Sequence, residues 1–405
     1  MEKTTGDKLL KLSILYSHLT ELGGAENVIF SQLKFLRKSG HDVKCHFAYV
    51  DEKLTQKSEN PHRFTETYLN LPLINSEVIN PILSVPLAPF AARKFKKSDA
   101  LICHGYGPAI WIGYVSKKVN RTKYISYIHS PPRFLYLNEA QGTLWRYSSI
   151  RNAVYTLSKI GWPLIKKMDF LSVTNSDSIL ANSIFTALRV KSIYGVKPRL
   201  CYPPVDTNTF KPLKKKRNRT KHNWPLILST GRLVTIKRWD WLIDAMVHVT
   251  KTYPSATLAI TGKISRENIG YVQGLIQKAS SLGLDQSVKF LGFKNIDELV
   301  ELYNTADVYA YAVPKEDFGL GPVEAMACGT PSVVWNDKSG PCETVIDGRT
   351  GFKAYPYDTR DFAEKIMKAI DLDKQSMSDF AHNYVESKFS CGKHLEILED
   401  ELRRL

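Results

Sequence analysis

Short apolar runs alternate with amphipathic segments along almost all of this 405-residue chain. "LKLSILYS" predicts a β-strand, "ENVIFSQLKFLRKSG" a helix that ends at Gly40, and "DVKCHFAYV" the next strand. "ALICHG", "YISYIH" and "SILANS" continue the pattern as apolar bursts that end in small or polar residues. Strands that alternate with helices favour parallel sheets covered by helices, so the sequence predicts an α/β protein.

The alternation is interrupted once and then restarts. "CYPPVDTNTFKPLKKKRNRTKHNWP" contains four prolines and a run of basic residues, which suits a connection between domains. "LILSTG", "ATLAITG", "VKFLGF", "VYAYAV" and "PSVVW" then predict five further strands. We therefore predict two doubly wound, Rossmann-like domains, 1–205 and 206–387, that face each other across a cleft. A helix at about 388–405 is expected to pack back near the first domain. Ligands of such sheets bind outside the carboxyl ends of the strands.

Composition excludes several classes of protein. Hydrophobic residues make up 43% and charged residues 24% of the chain, which is typical of a globular protein. No apolar run approaches the roughly 20 residues of a membrane span. The first residues lack the order of a signal peptide, which favours a cytoplasmic location. The six cysteines are scattered, which argues for reduced thiols and against a zinc site.

The positive charge is concentrated in one half of the chain. Residues 1–222 hold 35 Lys and Arg against 15 Asp and Glu, whereas residues 223–405 hold 21 against 25. An anionic partner of the first half is one explanation, and solvated lysines that maintain solubility are the other. Aromatic residues do not interleave with the basic runs, so a nucleic-acid partner is not predicted.

"PKEDFGLGPVEAMACGTPSV" is the most informative stretch for function. Glu316 and Glu324 bracket seven residues, and the segment from Gly321 onward is predicted to be a short helix with Pro322 in its first position. Glu324 would then lie in the first turn of the helix and Glu316 in the preceding loop. Gly319 and Gly321 leave the backbone bare at the helix N-terminus, which favours anion binding. Each carboxylate could accept hydrogen bonds from two hydroxyls of a sugar or ribose.

A second cluster lies in "STGRLVTIKRWDWLIDA". The predicted strand ends at Thr230, Gly231 allows a tight turn, and Arg232 and Lys237 follow on the connection to a helix. Two fixed cations near a helix start suit a diphosphate. Solvated basic residues on an exposed loop are the alternative.

Two candidates lie in the first half. Gly23 and Gly24 separate a predicted strand from a helix, but they do not form the Gly-x-Gly-x-x-Gly loop of NAD-binding proteins. An ordinary tight turn explains them equally well. His129 ends the strand in "YISYIHSPPRFLYL", where a lone histidine is most often a hydrogen-bonded structural residue.

These motifs together resemble the retaining glycosyltransferases of family four, which have the GT-B fold. The Glu-x(7)-Glu signature, the Gly-Arg-Leu…Lys segment and the Gly-Gly turn all match, and the match covers most of residues 11–355. The resemblance implies that Glu316 contacts the transferred sugar and that Glu324 contacts the nucleotide ribose. It further implies that His129 lies beside the sugar and that the Gly-Gly turn approaches the donor phosphates or the acceptor.

The resemblance also implies how the diphosphate is held. The backbone of Phe318, Gly319, Leu320 and Gly321 would face the sugar hydroxyls and the diphosphate. Arg232, Lys237 and the helix N-terminus would neutralise the leaving group, so no metal or other cofactor is expected. The string His-Ser-Pro-Pro-Arg-Phe resembles a subgroup rich in mannosyltransferases that use GDP-mannose.

The expected activity is therefore transfer of a hexose, with mannose from GDP-mannose as the first choice, from a nucleoside-diphosphate sugar to a lipid-linked or cell-surface glycan. A UDP-sugar donor and a nucleotide-sugar epimerase remain alternatives. The basic half would meet anionic lipid at the inner membrane face. In "SIRNAVYTLSKIGWPLIKKMDF", one helical face is expected to pack on the first domain or to rest on anionic lipid. That face contains Ile150, Val154, Leu157, Gly161, Leu164 and Met168.

Overall fold

The computed structural model describes residues 9–19, 23–50, 65–67, 86–133, 135–136, 162–213 and 224–405. Their contacts divide the chain into two compact units. The first unit comprises residues Met1–Pro204 and Cys391–Leu405, and the second comprises Val205–Ser390. No helix within the described ranges is both long and apolar enough to cross a membrane.

The first unit is built on a parallel sheet. Its described strands lie in the order β3-β2-β1-β4-β5-β6-β7, and all neighbours run parallel. The strands are β1 (Lys11–Leu19), β2 (Asp42–Val50), β3 (Thr65–Thr67), β4 (Ala100–His104), β5 (Lys123–Ile128), β6 (Ser178–Ala181) and β7 (Arg199–Leu200).

The second unit contains another parallel sheet, in the order β10-β9-β8-β11-β12-β13. Its strands are β8 (Leu226–Thr230), β9 (Thr257–Thr261), β10 (Val288–Gly292), β11 (Val308–Tyr311), β12 (Ser332–Trp335) and β13 (Gly351–Ala354). In both sheets the strand order reverses beside the first strand of the unit, as in doubly wound folds. The predicted fold class is confirmed.

Helices connect the strands and are numbered along the whole chain. They are α1 (Gly24–Lys38), α2 (Ala88–Ala92), α3 (Pro108–Asn120), α4 (Trp162–Thr174), α5 (Ile184–Tyr194), α6 (Trp239–Thr252), α7 (Ile269–Ser281), α8 (Ile296–Thr305), α9 (Leu320–Ala327), α10 (Gly340–Thr344), α11 (Thr359–Ile370), α12 (Lys374–Phe389) and α13 (Cys391–Arg404). Two short 3₁₀ helices, Arg93–Phe95 and Thr235–Lys237, complete the set among the described residues.

Both faces of the first sheet are buried, which explains its nearly continuous apolar strands. Neighbouring residues of β1 point to opposite faces: Ile14 belongs to one buried cluster and Leu15 to the other. The last helix, α13, contributes Leu398 and Leu402 to the cluster of Ile14 and α1. The C-terminal end of the chain therefore forms part of the core of the first unit.

The apolar face predicted around residues 150–168 differs in the structure. Residues 150–161 lie outside the described residues. In α4, Leu164 is 57% exposed, whereas Ile165 is buried. Asp169 is buried on the same side of the helix as Ile165. Its Oδ2 accepts hydrogen bonds from the hydroxyls of Tyr136 at 3.1 Å and Tyr194 at 2.7 Å. Leu164 therefore does not pack on the domain, because the buried side of the helix runs through Ile165 and Asp169, and the alternative contact with anionic lipid stays a prediction.

Candidate functional site

The carboxyl ends of β8 and β9 approach each other closely at two glycines. Gly231 has a φ of 148°, and its amide donates to the carbonyl of Thr261 at 3.1 Å. A Cβ at Gly262 would lie only 2.2 Å from the carbonyl oxygen of Gly231. Any side chain at residue 262 would displace the segment that follows β8, so the two glycines set the path of that segment.

The segment between β8 and α6 is held on both sides of Lys237. The indole N–H of Trp239 donates to the carbonyl of Arg232 at 3.1 Å. Arg238 adopts a left-handed backbone conformation, with φ 52°, and its guanidinium donates twice to the Asp240 carboxylate, at 3.0 and 2.6 Å. The same guanidinium lies 3.8 Å from the ring centroid of Trp241. These contacts leave the backbone around Lys237 little freedom.

Lys237 and Glu316, which sequence analysis assigned to different parts of the donor, contact each other directly. The Lys237 ammonium donates to Oε2 of Glu316 at 2.5 Å and to the Tyr311 hydroxyl at 3.0 Å. The Tyr311 hydroxyl in turn donates to the same Oε2 at 3.0 Å. Both charged side chains are less than one-fifth exposed. A cation, a carboxylate and a phenol are thus fixed together near the end of β11.

Two hydrogen bonds and a buried aromatic ring hold the loop that carries Glu316. Lys315 has a φ of 48°, and its amide donates to the buried carboxylate of Asp337 at 2.8 Å. The Glu316 carbonyl accepts from the amide of Gly340 at 2.9 Å. The side chain of Phe318 is buried, with its ring 5.9 Å from that of Phe389. Phe318 therefore anchors the loop through its ring, while its backbone leads into α9.

Helix α9 begins earlier than predicted. Its first residue is Leu320, preceded by Gly319 with φ 79°. Pro322 is therefore in the third position rather than the first, and Glu324 lies beyond the first turn. The left-handed conformation of Gly319 makes the chain turn into the helix at once, which a proline-based boundary does not anticipate. Gly319 has no side chain that could cap the helix, and the first N–H groups of an α-helix have no partner within the helix.

Hydroxyl groups connect Glu324 to the end of β8. Tyr303 donates to Oε2 of Glu324 at 2.8 Å and lies 3.2 Å from the hydroxyl of Thr230, which is itself 2.9 Å from the Tyr309 hydroxyl. Burial raises the pKa of Glu324, and the hydrogen bond from Tyr303 opposes that shift. The Tyr309 hydroxyl occupies the space beside Gly321, where a Cβ would come within 2.1 Å of it.

The other predicted residues lie in the first unit. His129 follows β5 directly, and its Nε2 lies 2.9 Å from Nδ1 of His104. Gly23 caps α1, and its amide donates to the Glu26 carboxylate at 3.0 Å. Gly24 is the first residue of that helix. The Gly23 amide thus has its acceptor in the helix cap, and the expected approach of this turn to the donor phosphates or the acceptor stays a prediction.

The structure brings Lys237 and Glu316 into direct contact. The tyrosines around them were missed by sequence analysis. Tyr309 and Tyr311 alternate along β11 in "VYAYA", so their shared face was available from the pattern. Tyr303 lies on α8 and carries no comparable signal. The described residues hold no group of three or more His, Cys, Asp or Glu arranged for a metal ion.

Two sequence families match almost the whole chain. Residues 210–385 match the family described as "Glycosyl transferases group 1". Residues 22–209 match the family described as "Glycosyltransferase Family 4".

Curated relatives match over shorter stretches. A mannosylfructose-phosphate synthase of Agrobacterium fabrum is 31% identical over 186 residues, which cover 43% of this chain and 41% of that protein. A D-inositol 3-phosphate glycosyltransferase of Mycolicibacterium smegmatis is 26% identical over 239 residues, which cover 57% and 54% respectively. The aligned segments span about half the length of these relatives.

Solved structures match over nearly the full length. Anabaena HepE in complex with UDP has a TM-score of 0.76 and 21% identity, with 98% of this chain and 100% of that chain covered. A sucrose-phosphate synthase from Thermosynechococcus elongatus has a TM-score of 0.76 and 18% identity, with 97% and 98% covered. At these identities the likeness concerns the fold.

Proposed function

Because the chain belongs to the group 1 glycosyl transferases of family 4, with the GT-B fold, we propose that it transfers a hexose from a nucleoside-diphosphate sugar to a glycan or glycolipid acceptor. The contact of Lys237 with Glu316 carries the proposal. A sugar diphosphate presents hydroxyls next to phosphate oxygens. The Glu316 carboxylate can accept hydrogen bonds from such hydroxyls, and the Lys237 ammonium can pair with the phosphate oxygens. The uncapped start of α9 lies in the same chain segment and adds backbone donors for the diphosphate.

The proposed chemistry is transfer with retention of configuration and without a metal. Lys237, Arg232 and the N-terminus of α9 would stabilise the negative charge of the departing diphosphate, since fixed donors in a partly dry site need no reorganisation. Glu316 would accept hydrogen bonds from the transferred sugar, and Glu324 from the ribose. No enzymic nucleophile is assigned, and the acceptor hydroxyl would attack from the side that the diphosphate leaves.

Substitutions distinguish donor binding from turnover. Lys237→Ala and Glu324→Ala are expected to abolish nucleotide-sugar binding in a calorimetric titration, whereas His129→Ala is expected to lower kcat. Lys278→Ala is the matched control, because Lys278 also pairs with a carboxylate of the same unit, Asp244 at 2.7 Å, on α7 and α6. Folded variants with unchanged kinetics would contradict the site assignment. Products formed without acceptor would indicate an epimerase instead.

The donor proposed first is GDP-mannose. The similarity to a protein named mannosylfructose-phosphate synthase supports a mannosyl donor, while a neighbour crystallised with UDP favours a uridine nucleotide. Thermal unfolding with GDP, UDP, ADP or dTDP separates these. A nucleotide at ~100 times its Kd adds roughly 2.7 kcal/mol to the unfolding free energy. A shift with GDP alone would support the mannosyl donor, and a shift with UDP alone would replace it.

The acceptor proposed is a lipid-linked or cell-surface glycan at the inner membrane face. The excess of Lys and Arg within residues 1–222 supports a contact with anionic lipid. Vesicle flotation with anionic and with neutral lipid tests it. Equal recovery with both vesicle types would contradict a charge-driven contact.

Activity that is unchanged by EDTA is the result expected for a metal-independent transferase.

A further inference from the structure

A chain of polar groups runs through the core of the first unit from α13 to His129. Nδ1 of His394 lies 2.6 Å from the backbone carbonyl of Tyr202, and its Nε2 lies 2.9 Å from the Gln32 side-chain nitrogen. The Gln32 side-chain oxygen lies 2.8 Å from Nε2 of His104, and Nδ1 of His104 lies 2.9 Å from Nε2 of His129. Gln32, His104 and His394 are all buried.

The contact of His394 with the Tyr202 carbonyl fixes which group donates in each of these hydrogen bonds. A backbone carbonyl can only accept, so Nδ1 of His394 must carry the proton that it donates to Tyr202. Burial lowers the pKa of His394 to about 4, so the ring is neutral near pH 7. A neutral imidazole has one N–H only, and Nε2 of His394 is therefore an acceptor. It requires the amide nitrogen of Gln32 opposite it.

The donor and acceptor atoms of each group determine those of the next group toward His129. With its nitrogen toward His394, Gln32 presents its oxygen to Nε2 of His104, which must be the N–H of that ring. Nδ1 of His104 then accepts, so Nε2 of His129 must donate. Burial lowers the pKa of His104 well below its usual value and that of His129 to about 3, which keeps both rings neutral. Nδ1 of His129 is left as a lone pair.

We propose that Gln32, His104 and His394 are positioning residues that hold His129 in the Nε2–H tautomer, with Nδ1 as the acceptor for a hydroxyl of the bound sugar. The assignment of a sugar hydroxyl rests on the proposed function, whereas the tautomer follows from the hydrogen bonds between neutral rings. The His129 backbone is fixed as well, because its carbonyl accepts from the side chain of Asn182 at 2.9 Å. Taken as a whole residue, His129 is only partly buried.

Two substitutions of Gln32 separate the effect of hydrogen-bond direction from the effect of side-chain packing. In Gln32→Met the N–H of His104 faces a thioether, and a buried donor without a good acceptor costs about 1–3 kcal/mol. His104 regains a partner by moving its proton to Nδ1, which forces the His129 proton to its own Nδ1. In Gln32→Glu, a neutral carboxyl donates to His394 and accepts from His104, as the amide does. An ionised carboxylate beside a protonated His394 presents the same acceptor to His104.

The test is the ¹⁵N spectrum of the His129 imidazole in the full chain without any substrate, assigned by comparison with His129→Gln. Wild type and Gln32→Glu are expected to show a protonated Nε2 and a bare Nδ1 near pH 7. Gln32→Met is expected to show the Nδ1–H form as the major one. A protonated Nδ1 in the wild type, or an unchanged spectrum in Gln32→Met, would overturn the proposal.

Kinetics test the second half of the proposal. The kcat of Gln32→Met is expected to fall about tenfold or more, with KM for the donor unchanged. In this variant the active tautomer leaves the N–H of His104 without an acceptor, and a loss of about tenfold corresponds to the lower part of the cost of such a buried donor. Gln32→Glu and the control Cys201→Ala, which alters a buried neighbour 3.5 Å from the His394 ring, should keep most of the activity. Equal kcat in Gln32→Met and Cys201→Ala would overturn the positioning role. An inactive wild type with the expected spectrum would instead refute the proposed transferase activity.

Discussion

The N-terminus of α9 depends on the absence of a side chain at residue 321. In Gly321→Ala the new Cβ would lie 2.1 Å from the hydroxyl oxygen of Tyr309 and 2.9 Å from its ring carbon Cζ. Tyr309 is fully buried and its hydroxyl is bonded to Thr230, so the ring has no room to withdraw. The start of the helix must therefore move.

The expected effect combines two opposing contributions. Alanine is preferred over glycine within a helix by roughly 0.5–1 kcal/mol. Overpacking of a tight site costs typically about 1–3 kcal/mol, so the second unit should lose about 1–2 kcal/mol of unfolding free energy. For a domain of roughly 150–250 residues this lowers Tm by about 2–4 °C per kcal/mol. Nucleotide-sugar affinity should fall as well, because the N–H groups of the helix are displaced.

Gly270→Ala is the matched control. Gly270 is the second residue of α7, as Gly321 is of α9, but a Cβ there would meet nothing within 4 Å. The same chemical change should leave the Tm unchanged or raise it. Urea unfolding followed by intrinsic fluorescence, with calorimetric titration of the nucleotide, measures both effects.

A second substitution tests the cause. Tyr309→Phe removes the closest atom at a cost of about 1 kcal/mol for its hydrogen bond to Thr230. Gly321→Ala should therefore be less destabilising in the Tyr309→Phe background, with a coupling energy of about 1 kcal/mol. A Gly321→Ala protein that behaves like Gly270→Ala, or additivity of the two changes within about 0.3 kcal/mol, would exclude a clash with Tyr309 as the cause.

Two further variants test other contacts. The buried Asp169 has its pKa raised by burial from 3.8 to about 6, so its ionised form is disfavoured in the folded state, and the stability present below pH 3.8 falls as pH rises through 6. Asp169→Asn, which can still accept from Tyr136 and Tyr194, should gain on the order of 2–3 kcal/mol over wild type at pH 8 and nothing at pH 3.5. A pH-independent difference in urea unfolding would contradict this. Arg238→Ala removes both bonds to Asp240 and should weaken nucleotide binding about tenfold in calorimetry, since hydrogen bonds between charged groups contribute roughly 1.5–3 kcal/mol. Unchanged affinity would show that these bonds do not hold the segment in place.

Much of the fold was predictable because its signals are local. The periods of two in strands and about 3.6 in helices are visible within a few residues, and they identified the parallel α/β class. Three short strands were missed, β3, β7 and β13, which have three, two and four residues. Runs of two or three residues carry no readable period, and β13, "GFKA", lacks the apolar run that marks the other four-residue strands. The start of α9 was misplaced by two residues because Gly319 determines it through its backbone conformation rather than through an apolar pattern.

The sequence by itself determined the family, the fold class and the identity of Glu316, Glu324 and Lys237 as candidates, since the spacing of residues within each of the two motifs needs no tertiary information. Only the tertiary structure decided which groups meet. Lys237 and Glu316 are 79 positions apart and share a contact through the parallel pairing of β8 with β11. Gln32 and His394 are 362 positions apart and meet because α13 packs on α1. Contacts of this range exist only once the chain has closed, because they depend on how the sheet and its helices are assembled and not on any local preference.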